Sequence, residues 1–153
     1  MYKKILVPLD GSKFAENALE HVRTIAQGSA VEKVVLIRVL EPLVIDVKDY
    51  LGADRAREAE EKLEADAKRY IEKTAAALRK DGMHVESKIV VDGEPAAKIL
   101  EAAKAENIDL IIMSTHGRSA FFHWVFGSVA HKVLVHSSVP ILVVPRKDKV
   151  GFR

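Results

Sequence analysis

Apolar residues along this chain fall into two rhythms. Unbroken runs, ILVPL (residues 5–9), KVVLIRVL (33–40), the latter part of HVESKIVVD (84–92), IDLIIMS (108–114) and VPILVVP (139–145), are rich in Val and Ile. That is the pattern of strands covered on both faces. Between them, apolar positions recur at intervals of three and four. Ala15, Ala18, Leu19, Val22, Ile25 and Ala26 predict a helix capped by Ser12 and running through Gln27. Leu63, Ala67, Tyr70, Ile71, Thr74 and Leu78 predict a core stripe on a longer helix, about Arg55 to Lys80, ended by Asp81-Gly82. Glu58–Lys62 and Glu64–Lys68 stand i,i+4 on its polar face, each such pair stabilising by roughly 0.2–0.5 kcal/mol. Gly93-Glu94-Pro95 opens a third helix to about Glu106, with proline in its first turn. Val129, Val133 and Leu134 mark a last one. From Glu41 to Asp54 the period is lost among Pro42, Asp46, Asp49 and Gly52, which predicts a surface loop long enough to act as a flap.

The alternation of strands and helices predicts an α/β fold: a parallel five-stranded sheet with helices on both faces, Rossmann-like in its three layers. IDLIIMS, the most apolar run, reads as the central strand; VPILVVP, bounded by prolines, reads as an edge. Ligands of such sheets bind beyond the carboxyl ends of strands, where the strand order reverses. Three segments are expected to meet there: Asp10-Gly11-Ser12, the end of the second strand near Val39, and Ser114 to Ser128.

Composition narrows the picture. The 153 residues suit one domain, 1–147, with a short tail, 148–153. Basic and acidic residues nearly balance at 24 to 22, which argues against a nucleic-acid partner. No run approaches a membrane span, and the first residues lack the apolar stretch of a signal peptide, so a cytoplasmic protein without a membrane partner is expected. The chain has no cysteine, which removes thiol catalysis, disulfides and thiolate metal sites. Its six histidines show no metal-ligand spacing. P-loop, G-x-G-x-x-G, H-E-x-x-H and G-x-S-x-G signatures are all missing.

What chemistry remains is concentrated in MSTHGRSAFFHWVFGSVA, residues 113–130. Gly117 follows a strand end, and Gly127-Ser128 opens a helix whose unpaired N–H groups suit an anion. Ser128 adds a hydroxyl, His116 a ring donor and Arg118 a guanidinium able to hold phosphate bidentately. The plain alternative is that Ser128 caps a helix and Gly117 makes a turn. Asp10 either accepts from a sugar hydroxyl or simply builds its turn with Gly11. Phe121, Phe122, Trp124 and Phe126 fall on no single helical face and read as a packing plug or a patch for a second subunit.

These residues carry a resemblance. ILVPLDGS with its alanine-rich helix, the second strand ending near Val39, GEPAAKI, THGR, GSVAHKVL and VPILVVP resemble the universal stress protein family along almost the whole chain. Nucleotide-binding members carry G-x2-G-x9-G-[ST] after the fourth strand; Gly117, nine residues, Gly127 and Ser128 satisfy its longer part, while Ser114 stands at the first glycine. The resemblance implies strand order 3-2-1-4-5, ATP at the carboxyl edge with Mg or Mn as an accompanying ion, and a homodimer through the last strand, Pro140 to Val144. It implies that Pro8, Leu9 and Asp10 face the adenosine and that Val39 meets the adenine. Met113, Ser114, His116, Gly117 and Arg118 would pass the ribose and phosphates, and Gly127, Ser128, Val129 and Ala130 would donate to phosphate. Should the Ser114 position require positive φ, serine strains the loop; should it require only closeness, serine fits.

The functional expectation is an adenine-nucleotide-binding stress sensor or regulator with an unidentified protein partner. Two alternatives differ in class. One is a nucleotide-free dimeric interaction module, suggested by Ser114 and the aromatic cluster. The other is an enzyme: a slow ATP hydrolase using Asp10 or His116, or a transferase or pyrophosphatase whose flap brings Asp46 and Asp49 to a metal.

Overall fold

A computed structural model of the protein describes residues 1–115 and 127–145. Five strands, β1 (Lys4–Pro8), β2 (Lys33–Leu40), β3 (Val85–Val91), β4 (Leu110–Ser114) and β5 (Ile141–Val144), form one sheet. All pairings are parallel and the order is β3-β2-β1-β4-β5. The expected strand order is therefore present, with one correction. β4 is interior, its five residues all buried, but the middle strand is β1.

The helices are α1 (Lys13–Gly28), α2 (Ile45–Leu51), α3 (Ala53–Lys80), α4 (Pro95–Ala105) and α5 (Ser128–His136). Right-handed crossovers divide them between the faces. α1 and α3 cover one face, burying Ala18, Val22, Ile71, Ala75 and Leu78 against Ile5, Val7, Leu36 and Ile112. α4 and α5 cover the other, where Ile99, Ala103, Ala130 and Val133 meet Leu6, Val35, Ile37 and Ile111. Side chains of one strand alternate between the two cores, which is why each strand reads as a continuous apolar run.

Three expectations are corrected. The segment 41–54 contains a helix, α2, rather than only loop. It buries none of its residues, so no periodic stripe announces it in the sequence. Leu63 does not belong to the core stripe of α3: it is 45% exposed, because between Ala56 and Ala67 this helix buries nothing. On the polar face of α3, Glu64 pairs with Lys68 at 2.6 Å and Arg57 approaches Glu61 at 3.9 Å, whereas Glu58–Lys62 is not among the ion pairs of the described residues.

At the amino end of the sheet, Glu106 after α4 receives Lys33 of β2 at 2.9 Å and also Lys88 of β3. These two ammonium groups, Lys88 foremost, hold its carboxyl down at about 2. This network fastens α4 to the strands far from the carboxyl edge.

Candidate crevice at the carboxyl edge of the sheet

Strand order reverses between β1 and β4, and there the carboxyl edge opens into a cavity of about 740 Å³. Pro8, Leu9 and Asp10 line it from β1, and Arg38, Val39 and Leu40 from β2. Met113, Ser114 and Thr115 come from β4, and Gly127 to Ala130 from the start of α5. Every expected site residue that lies among the described residues is thus at one cavity: Pro8, Leu9, Asp10, Val39, Met113, Ser114, Gly127, Ser128, Val129 and Ala130. His116, Gly117 and Arg118, with the aromatic residues Phe121 to Phe126, lie outside the described residues.

Two backbone hydrogen bonds hold Thr115, one to β5 and one to the start of α5. Thr115 N–H donates to the Val144 carbonyl at 3.1 Å, and the Thr115 carbonyl accepts from Gly127 N–H at 2.7 Å. The end of β4 is therefore tied to the start of α5. Helical bonding in α5 begins with His131 N–H to the Gly127 carbonyl at 2.9 Å, so the amides of Ser128, Val129 and Ala130 have no intrahelical acceptor. Gly127 is the N-cap and offers no side chain to meet them. Ser128 is the first helical residue, exposed, and does not cap. Among the described residues these three amides have no acceptor, and the helix start that carries them lines the cavity.

At the other side, the Asp10-Gly11-Ser12 turn is closed by its own side chains. Asp10 Oδ1 accepts from Ser12 N–H at 2.8 Å, and Ser12 Oγ accepts from Ala15 N–H at 3.2 Å. Gly11 has φ +85°, and a Cβ there would lie 2.5 Å from Nη1 of Arg38. The dihedral requires glycine, while the close contact is with the movable end of the Arg38 side chain. Arg38 was not among the expected site residues, although one arginine inside KVVLIRVL was a visible signal. Its guanidinium lies over the Tyr70 ring, 5.4 Å from the centroid, and lines the cavity. Burial, and then the nearby charge of Glu16, push the Tyr70 phenol well above its ordinary value, and among the described residues its hydroxyl makes no well-formed hydrogen bond.

Ser114 resolves the question of strain. Positive φ among non-glycine described residues occurs only at Asp92 and Asn107, so Ser114 sits in ordinary strand geometry. It is 9% exposed, and among the described residues its Oγ has no hydrogen-bond partner. The crevice rim is formed by α3, with Arg57, Glu60, Glu61 and Glu64, and by Glu41 and Asp92. Lys48 of α2 reaches Glu60 at 2.8 Å, tying α2 beside that rim. Asp46 and Asp49 are exposed on α2 and do not line the cavity. Among the described residues no group of three or more His, Cys, Asp or Glu is placed to hold a metal ion. Also among them, no helix is long and apolar enough to cross a membrane.

A doubly wound parallel sheet with an open helix N-terminus at its switch point defines the class of Rossmann-like α/β proteins. Within that class the chain belongs to the universal stress protein family, whose model matches residues 1–145. Universal stress protein MJ0577 of Methanocaldococcus jannaschii is 36% identical, the match covering 97% of this chain and 98% of the relative. The solved structure of MJ0577 superposes with a TM-score of 0.85 at 37% identity, over 97% of this chain and 99% of that one. A universal stress protein of Archaeoglobus fulgidus, solved in complex with dAMP, shares the fold at a TM-score of 0.67 and 23% identity, covering 93% and 97% of the two chains. Another universal stress protein, solved with cAMP, does so at 0.68 and 21%, covering 94% and 97%.

Proposed function

We propose that this chain binds an adenine nucleotide, ATP foremost, in the carboxyl-edge crevice and acts as a regulatory module in the cytoplasm. The observation that carries this reading is the uncapped start of α5. Three open amides and a helix dipole face a cavity that Pro8, Leu9, Val39 and Met113 furnish with apolar and backbone groups. The donor set suits phosphate at one end, the apolar set suits a base, and Asp10 lies between as an acceptor for sugar hydroxyls. Family members solved with dAMP and with cAMP support the choice of adenine nucleotide. A divalent ion accompanying the nucleotide would be held mainly by the phosphates, as Mg²⁺ usually is.

Calorimetric titration of nucleotide-stripped protein with ATP, with and without Mg²⁺, tests this. Saturable binding that weakens in Gly127→Asp is the expected result. No binding by a folded protein selects the nucleotide-free interaction module instead. Binding favours regulation over hydrolysis here, because Asp10 already spends Oδ1 on the Ser12 amide and no base–nucleophile pair accompanies it among the described residues.

A homodimer through β5 is proposed on a separate observation. Among the described residues β5 pairs only with β4, its residues 141–143 are half-buried, and Leu134 and Val135 of α5 are exposed. An apolar edge strand of this kind is a template for a second copy. Sedimentation at varied concentration reads the outcome, and a proline at Val143, whose N–H points away from β4, is expected to shift the protein to monomer if the outer edge pairs.

A further inference from the structure

Between β2 and α3 the chain makes an excursion that leaves the packed core. Residues 41–52 depart from β2 through Pro42, form α2 and return at Gly52, and none of them is buried. Val44, Ile45 and Tyr50 stand exposed. The backbone bonds of α2, from the Val47 and Lys48 amides to the Val44 carbonyl and from Gly52 to Lys48, stay inside the excursion. The turns of α3 that follow, between Ala56 and Ala67, bury nothing either. A segment with local bonds and so little burial moves as a unit at low cost compared with the core.

Open space lies on both sides of it. Glu41 and Pro42 line the crevice, and with Val44 they also line a second cavity of about 510 Å³ whose other wall is the Asp92-Gly93-Glu94 turn. What fixes the excursion between the two cavities is Lys48, whose ammonium lies 2.8 Å from Oε1 of Glu60 on the α3 wall of the crevice. Among the described residues this is the one ion pair that joins 41–52 to the rest of the chain. The contact is an ion pair rather than an aligned hydrogen bond, since that oxygen makes no well-formed one. Lys48 first, with the nearby Leu43 amide adding to it, holds the Glu60 carboxyl below its ordinary 4.5, so two points of the excursion converge on this one group. Lys48 and Glu60 are 40% and 39% exposed, and an ion pair so open to water is easily broken. At the return, Gly52 has φ +80° and ψ 159°, a region that glycine alone adopts readily, and a Cβ there would touch nothing within 4 Å. Backbone geometry demands that glycine and packing does not, as at a hinge.

We infer that residues 41–52 form a gating strap beside the β2 end of the crevice, hinged at Gly52 and latched by Lys48 on Glu60, which opens to admit and release the nucleotide. This rests on the nucleotide reading above and adds its regulation: the latch sets the rate of exchange, and the crevice sets the affinity. Opening precedes both entry and exit, so a weaker latch raises the open fraction of the free and of the bound protein by the same factor. Association and dissociation then quicken together and Kd is kept. A fixed wall behaves otherwise, because loss of a wall contact acts on dissociation.

The test is stopped-flow mixing of an ATP analogue carrying a fluorophore, with a chase of plain ATP for dissociation, on wild type, Lys48→Met and Lys48→Arg. Lys48 itself does not line the crevice. Lys48→Met is expected to quicken association and dissociation alike, by roughly twofold to fivefold, with Kd within about twofold of wild type. The sign is diagnostic, since removing a positive charge would by steering alone slow the approach of an anion. Lys48→Arg keeps the latch and the wild-type rates. Hydrogen exchange on the ligand-free proteins reads the strap directly: amides of 45–52 are expected to exchange faster than those of 71–78 in the packed half of α3, and faster again in Lys48→Met. Rates unmoved by Lys48→Met, dissociation quickened alone, or strap amides as protected as 71–78 overturn the inference and leave nucleotide binding standing. A folded wild type that takes up neither the analogue nor, by calorimetry, plain ATP overturns the nucleotide reading and this one with it.

Discussion

Two helices start at the same edge of the sheet and start differently. At α1 the chain closes its own terminus: Ser12 takes the Ala15 amide and Asp10 takes the Ser12 amide. At α5 the cap is Gly127, which has no side chain, and among the described residues its amide is fastened to the Thr115 carbonyl. α4, opening on the same edge, is closed too, by Glu94 accepting from Ala97 N–H at 2.8 Å. A capped terminus is part of the scaffold, since its donors are already satisfied. A glycine-capped one beside a cavity forgoes roughly a few tenths of a kcal/mol of helix stability and keeps its donors for something else. The difference assigns roles: α1 and α4 fix the walls, and α5 receives the anion.

The largest effect comes from closing α5 as the others are closed. Gly127 has φ −52° and ψ 147°, a backbone geometry that any residue adopts, so Gly127→Asp supplies a capping carboxylate without strain. The variant is expected to be as stable as wild type or a few tenths of a kcal/mol more so. Its affinity for ATP is expected to fall roughly a hundredfold or more, because the amides are occupied and a negative charge stands in place of the phosphate. Calorimetry beside a thermal melt reads both quantities. A stable variant that binds ATP as wild type does would remove α5 from the site.

The reverse operation on α1 gives the next effect. Ser12→Ala opens a closed terminus and is expected to lower stability by about 1 kcal/mol. For a chain of this size that amounts to about 2–4 °C in Tm. ATP affinity is expected to stay within about twofold, since the Ser12 hydroxyl serves the helix and the Asp10 turn keeps its own bond. A loss of affinity as large as that of Gly127→Asp would make the two termini equivalent and dissolve the comparison.

This asymmetry was half legible in the sequence. Ser12 and Pro95 announce their helices, and Gly127-Ser128 marks the start of α5, because these signals are local. The fold was legible for the same reason: strands buried on both faces cannot hide their apolar runs. What stayed out of reach depends on contacts between distant segments. The bond from Gly127 to Thr115 and the bed that Gly11 makes for Arg38 both need the strand order before they can be seen. α2 escaped because a helix that buries nothing leaves no period, and Leu63 misled because its spacing fits a stripe that the helix carries beyond the core.

The smallest effect separates α4 from α5 by acid. The Ala97 amide first, and Lys132 of α5 second, hold the Glu94 carboxyl below its ordinary 4.5. A carboxyl lowered on folding contributes stability that is complete above its unfolded value and drains away as pH falls through the folded one. Glu94→Gln keeps an oxygen for Ala97 but ends the charge pair with Lys132, so it should flatten the acid limb of the stability curve below about pH 4.5. Because Glu94 and Lys132 are about half exposed, the change is expected to stay well under about 1 kcal/mol. Glu106, held at about 2 by Lys88 and Lys33, gives a second acid limb between about 4.5 and 2 that Glu94→Gln leaves in place. The start of α5 has no titratable cap, so its amides do not change with pH across that range, and ATP affinity should follow the ionisation of the nucleotide and of the groups that hold it rather than that of Glu94. Stability and affinity measured across the same acid titration should therefore diverge. If they fall in step, the charge pair from Glu94 to Lys132 is what holds α5 in its open position.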